Sequence, residues 1–370
     1  MQTEEIAGPF PENPRDTLGR RPDPLLTSVR NQREIARWSS PRPVPLRWDD
    51  RALVGDCRAV VVENECLRLT VLPELGAKIY DIVHKGTGRN VLWHNPRIRP
   101  RRVPFGSRFD DVWSGGWDEI FPNDAESLVD SEHFPDMGEA WALEWEYSVE
   151  NRGDFVALTT KVMTPISPVE IKRKITLKNG EPGFVCHYQI RNLSPNEIKF
   201  LWKIHPAFEI NERCRIEIPA KIGIVDSRYA RHFSQVRYPW PAVRSKNGKK
   251  VDISDVDLSR NDCTLHYVTG LSKGVVRFID QHNGLLSTIR FDREKMNSVW
   301  LFLAYGGWRG HRTAVIEPST SYPFDLATAI RQGHCSSLSG HGSFESSVEF
   351  QIGQLGQAST KKGSKRDGQG

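Results

Sequence analysis

Three stretches of this 370-residue chain gather groups that bind sugars or move protons. The first is Gly115-Gly116-Trp117-Asp118-Glu119-Ile120-Phe121-Pro122-Asn123, followed by Pro135-Asp136-Met137-Gly138-Glu139-Ala140-Trp141. A pyranose site needs carboxylates that accept hydrogen bonds from vicinal hydroxyls, and an aromatic face that packs on the C–H face of the ring. The same residues also fit a structural role, with Trp117 and Phe121 in a core and Asp118 capping a turn. The second stretch, Ile204-His205-Pro206-Ala207-Phe208, follows the apolar Phe200-Leu201-Trp202. A histidine at the end of a buried strand can donate or take a proton near neutrality, or it can simply be satisfied by backbone. The third, Val315-Ile316-Glu317-Pro318-Ser319-Thr320, puts Glu317 before a proline turn, either in a cleft or at a wet strand end.

Strands must position these groups, because the dominant hydrophobic period is two. Val169, Ile171, Ile175 and Leu177 share one face while Lys172 and Lys174 share the other, and 184–190 and 344–352 alternate in the same way. Similar runs at 58–72, 77–84, 141–149, 154–163, 198–204, 214–218, 264–268, 274–280, 285–291, 298–305 and 313–317 bring the expectation to about fourteen short strands. Turn signals such as Lys178-Asn179-Gly180 and His282-Asn283-Gly284 separate them. Helical periodicity is confined to Asp325–Arg331, between Pro323 and Gly333. The pattern predicts an all-β chain, a large antiparallel β-sandwich over residues 51–353. Residues 221–262 form a polar excursion too long for a hairpin turn, and Trp240 between two prolines offers a stiff platform for a sugar ring.

The flanks read differently. Residues 1–50 hold eight prolines and eight arginines, too little apolar surface to offset ordering, and are expected to be an arm or linker. Trp38, Trp48 and the run Pro41–Pro45 could still lie along the body. The Gly, Lys, Ser and Gln-rich segment 354–370 is expected to be a disordered basic tail. Of the net charge of +5 the tail supplies +3 and the first fifty residues nothing, so the body carries no electrostatic footprint for nucleic acid. No apolar run approaches the ~18 residues of a membrane span. Six cysteines without a C-x-x-C pair and eleven dispersed histidines predict neither a metal site nor a disulfide framework. The amino terminus lacks an apolar signal core, and the chain is expected to be cytoplasmic. No G-x-G-x-x-G follows a strand and opens a helix, which disfavours a dehydrogenase, and no cofactor is expected. Oligomeric state is not encoded in any motif.

Taken together, the three stretches resemble the galactose mutarotase-like superfamily, the aldose 1-epimerases and their relatives. Residues 67–95 resemble its opening hairpins, HPAF its histidine motif, and IEPSTSYPFDLATAIRQG its catalytic-glutamate motif with the short helix and glycine behind it. The pair GGWDEIFPN and PDMGEAWALEW is similar to an aldose-epimerase-like subfamily, and the resemblance spans roughly 58–353. It implies anomer interconversion in which Glu317 takes the proton of the anomeric hydroxyl and His205, as imidazolium, protonates the ring oxygen. It also implies that the carboxylate and imidazole lie within roughly 8 Å of each other. Trp117, Asp118, Glu119, Asn123, Glu139, Trp240 and Arg108 are the expected sugar-binding residues. Ser114 and Met137 stand where relatives carry histidine, and His94 or His133 could substitute.

The expected activity is that of a sugar isomerase acting on a free or uronic-acid-type sugar, with a small-molecule sugar as its partner. A carbohydrate-binding protein without turnover is the alternative, and a lyase or hydrolase accessory on the same fold a third. Arg101, Arg102 and Arg108 keep a phosphosugar open, although they also read as a solvated turn.

Overall fold

A computed structural model describes residues 46–356. The expected arm up to residue 45, with Trp38 and Pro41–Pro45, and the tail beyond residue 356 lie outside the described residues. Strands make up 52% of the structure and helix 6%. Among the described residues there are 26 strands, more than the sequence pattern predicts, because pairings of two to four residues are too short to show a period.

Two antiparallel sheets carry the architecture. The larger, twelve-stranded sheet runs in the order Arg47–Val54, Cys57–Glu63, Leu67–Leu72, Lys78–His84, Trp117–Ile120, Lys203–Glu209, Arg312–Ser319, Ser298–Tyr305, Cys263–Thr269, Ile222–Val225 and Arg237–Pro239, with Arg89–Asn90 paired to the side. The eight-stranded sheet runs Cys214–Glu217, Val275–Asp280, Leu285–Phe291, Ser343–Gln354, Gly183–Asn192, Val169–Lys178, Phe155–Met163 and Glu146–Asn151. Sequence neighbours pair mostly as hairpins. The centre of the large sheet is different: three distant segments, Trp117–Ile120, Lys203–Glu209 and Arg312–Ser319, lie side by side there.

The two sheets face each other over an apolar core. The alternation at 169–178 is realised as buried and exposed side chains in turn, with one face on the core and one in water. Phe184 stacks on Phe350 at 5.2 Å, Trp117 packs 6.2 Å from Phe184, and Phe208 stacks on Phe278 at 4.7 Å. The central strands of the large sheet are instead buried on both faces, because loops cover the side away from the core.

Several boundaries differ from the sequence reading. The first strand starts at Arg47, inside the expected arm, where Arg47 pairs with Glu63 on the neighbouring strand. The run 141–149 begins as a short 3₁₀ turn at Ala140–Ala142 and becomes strand only at Glu146. The expected helix is present at Leu326–Arg331, where the Asp325 carboxylate accepts the Thr328 N–H as a cap.

Candidate active site

Register brings the separated motifs into one row. Asp118 lies opposite His205. The pairs Lys203↔Ser319 and Ala207↔Val315 put His205 opposite Glu317, and Glu317 lies opposite Trp300 on the next strand. Side chains at the same level of a sheet project to the same side. Asp118, His205, Glu317 and Trp300 therefore point away from the sandwich core, as does Lys203 two residues before His205. Trp117 and Glu119, one residue out of phase, point into the core.

Over this row lies a cleft of about 160 Å³, many times the ~10–15 Å³ one water needs. Phe109, Trp113, Tyr229, Trp300, Phe302 and Trp308 wall it, and Met137 and His205 reach it as well. Its charged groups are Asp110, Asp124, Asp136, Glu317, Lys203 and Arg228.

Electrostatics centre on Lys203. Its Nζ donates to Glu317 Oε2, lies 2.5 Å from Asp124 Oδ2, and sits 4.1 Å above the Trp300 ring. Glu317 is 1% exposed. Burial pushes its carboxyl up, Lys203 opposes this, and the group titrates near pH 7 (pKa about 7). His205 Nε2 lies 3.8 Å from Glu317 Oε2, beyond a hydrogen bond, and the ring is packed edge-on by Phe109 and Trp113 at 5.5 Å. Burial first, then the Lys203 and Lys78 charges, hold His205 well below the ordinary histidine range. The imidazole is thus neutral near pH 7, where the sequence reading expected imidazolium. Burial also pushes Asp136 up to about 6 and Asp110 upward.

The other expected binding residues are placed elsewhere. Trp117 is fully buried against Phe184 and Phe350. Glu119 is sealed between the sheets, where Arg173 donates to it at 2.8 Å and Tyr188 Oη at 2.8 Å. Asp118 faces the site side but is held by Lys78 at 2.7 Å and by the Trp113 indole at 3.1 Å. Asn123 donates to the carbonyls of Ala125 and Pro135, and Glu139 accepts from the backbone of Ile166 and Ser167; both tie loops together. Trp240 packs on the core and donates to the Ile218 carbonyl at 3.0 Å, so it offers no platform to the cleft. The excursion 221–262 does reach the rim, through Arg228 and Tyr229. Arg101, Arg102 and Arg108 are exposed and do not line the cleft, and Arg102 is bound by Glu74. His94 stacks on Tyr80 at 3.8 Å and pairs with Asp81, and His133 is exposed, so neither stands in for a second histidine. Met137 does line the cleft.

Sequence reasoning missed Lys203, Asp124, Asp110, Arg228, Trp113 and Trp300. Lys203 was detectable, since period two from His205 puts it on the same face. Asp124 and Asp136 lie within or next to the motifs. Arg228 and Trp300 carry no local signal, because only the pairing of distant strands brings them here.

Comparison with known proteins supports the same architecture. A family described only as a domain of unknown function (DUF5107) matches residues 47–132, less than half of the chain. No curated protein matches the sequence. Among solved structures, a candidate aldose 1-epimerase from Klebsiella pneumoniae is 14% identical, with a TM-score of 0.64 over 83% of each chain. A galactose mutarotase-like protein from Clostridium acetobutylicum is 12% identical, with a TM-score of 0.60 over 84% of this chain and 99% of that one. A TPR-domain containing protein from Parabacteroides distasonis is 14% identical, with a TM-score of 0.58 over 88% of this chain and 51% of that one. The chain has the galactose mutarotase-like sandwich fold.

Proposed function

We propose that this protein is a sugar isomerase of the aldose 1-epimerase type, interconverting the anomers of a free sugar. The observation that supports this reading is the juxtaposition of Glu317 and His205, 3.8 Å apart on the floor of an aromatic-walled cleft. Their separation is within the ~8 Å that two partners of one anomeric centre allow.

The neutral imidazole changes how the steps are divided. Glu317, titrating near the working pH, takes the proton of the anomeric hydroxyl as the C1–O5 bond breaks and C1 becomes an aldehyde carbon. The electron pair of that bond goes to O5, and the His205 N–H donates a hydrogen bond to it while charge develops, as a neutral imidazole can. Since O1 and O5 share C1, the carboxyl proton can pass from Glu317 to O5. Rotation about C1–C2 and reversal of these steps closes the other anomer. Lys203 and Asp124 set the charge on Glu317 throughout.

A sugar-binding protein without turnover is the second reading. It is favoured by the fact that Lys203 already occupies the Glu317 carboxylate in the free cleft. Anomer exchange followed by polarimetry or NMR over a panel of aldoses tests the proposal. Exchange above the spontaneous rate that disappears in Glu317→Gln is the expected result, and binding with no exchange on any sugar would select the second reading.

A further inference from the structure

The charges of the cleft do not balance. It presents four carboxylates, Asp110, Asp124, Asp136 and Glu317, against two cations. Lys203 is shared between Asp124 and Glu317. Arg228 is held by Asp226 at 2.8 Å, with its guanidinium 3.4 Å from the Phe324 ring centre. Asp110 and Asp136 are left over. Asp136 accepts the Phe109 N–H at 2.9 Å through one oxygen. Asp110 feels the charges of Arg309 and Arg108 and is hydrogen-bonded by Trp308, but burial outweighs them, and Arg309 forms its ion pair with Asp111 at 2.6 Å. Burial, then the charges of Asp124 and Asp110, push Asp136 upward, as is expected of a carboxylate beside other carboxylates. Beside them, His205 is 5% exposed and its Nδ1 has no partner among the described residues.

We propose that the cleft selects an amino sugar, an aldose carrying a free amine, with the ammonium seated between Asp110 and Asp136; this rests on the reading of the cleft as an anomer-exchange site. An ammonium supplies three N–H donors to two carboxylates that form no ion pair among the described residues. Phe109, Trp113 and Trp308 also line the cleft, and aromatic rings attract a cation. A phosphosugar or uronate would meet four carboxylates and no uncommitted cation, so anionic sugars are excluded by the same count. Among the described residues no group of three or more His, Cys, Asp or Glu side chains is arranged to hold a metal ion.

The test is calorimetric titration of the full chain at pH 7 and low salt with glucosamine, galactosamine, their N-acetyl forms, glucose, galactose, glucose 6-phosphate and glucuronate. One amino sugar should bind about tenfold or more tighter than both its N-acetyl form and its neutral parent, and added salt should shrink the gap. Asp110→Asn and Asp136→Asn should each shrink the ratio of amino-sugar to neutral-parent affinity toward one. The wild-type comparison stands even if a variant fails to fold, because N-acetylation removes the charge from the ligand instead. Equal affinity for neutral and amino sugars with anomer exchange intact overturns this inference and leaves the isomerase reading standing. Tightest binding of an anionic sugar also overturns it. No binding of any sugar overturns both.

Discussion

Replacing Glu317 with glutamine should make the protein less active and more stable, and the two effects separate cleanly with pH. The glutamate is fully buried and titrates near 7 instead of at its ordinary 4.5. Each tenfold of proton affinity is worth ~1.36 kcal/mol, so holding the ionised carboxylate in place costs the fold about 3 kcal/mol. Between 4.5 and 7 the unfolded chain releases this proton while the folded chain keeps it. The folded state thus binds more protons, and stability falls as pH rises through that window. Glutamine keeps the shape without the charge, and Lys203 retains Asp124 as its partner. Urea unfolding followed by tryptophan fluorescence should give the variant an advantage of about 3 kcal/mol at pH 8 and close to none near pH 4.5. Anomer exchange should fall by about 10²–10⁴, the usual contribution of one positioned base. A stability difference that does not change with pH would refute the burial argument, and an undiminished exchange rate would refute the role of Glu317.

Exchange by the wild type should rise with pH through about 7 as Glu317 ionises, with no fall toward pH 9 from His205, which is already neutral; a bell centred near 6.5 would show an imidazolium acid instead. Trp240→Ala should leave sugar affinity unchanged and lower stability by about 2 kcal/mol, read by urea denaturation, since its ring packs on the core and its indole N–H is bonded to Ile218. Glu119→Gln should cost ~3–5 kcal/mol in the same assay, because it leaves Arg173, fully buried between the sheets, without its carboxylate.

What could be read from the residues was what local chemistry governs. Period two at 169–178 and 184–190 gave strands with one wet and one dry face, and both appear. Helical periodicity over 325–331, between Pro323 and Gly333, located the short helix, and Asp325 proved to cap it. The motifs HPAF and IEPST marked His205 and Glu317, because a polar residue at the end of an apolar strand is conspicuous without knowledge of its neighbours. The binding residues were harder, and the Trp117-Asp118-Glu119 triplet shows why. Its composition suits a sugar site, but successive strand residues face opposite ways, so only Asp118 could share a face with His205, and Lys78 from another strand had already bound it. Trp240 looked like a platform until tertiary packing gave its indole a carbonyl to bond. The cleft was settled only when strands some eighty to two hundred residues apart in sequence came into register, setting Lys203 between Asp124 and Glu317. Alternation along a strand is fixed by the geometry of neighbouring residues, whereas which charges meet is fixed by cross-strand pairing, and no local pattern in the chain records that.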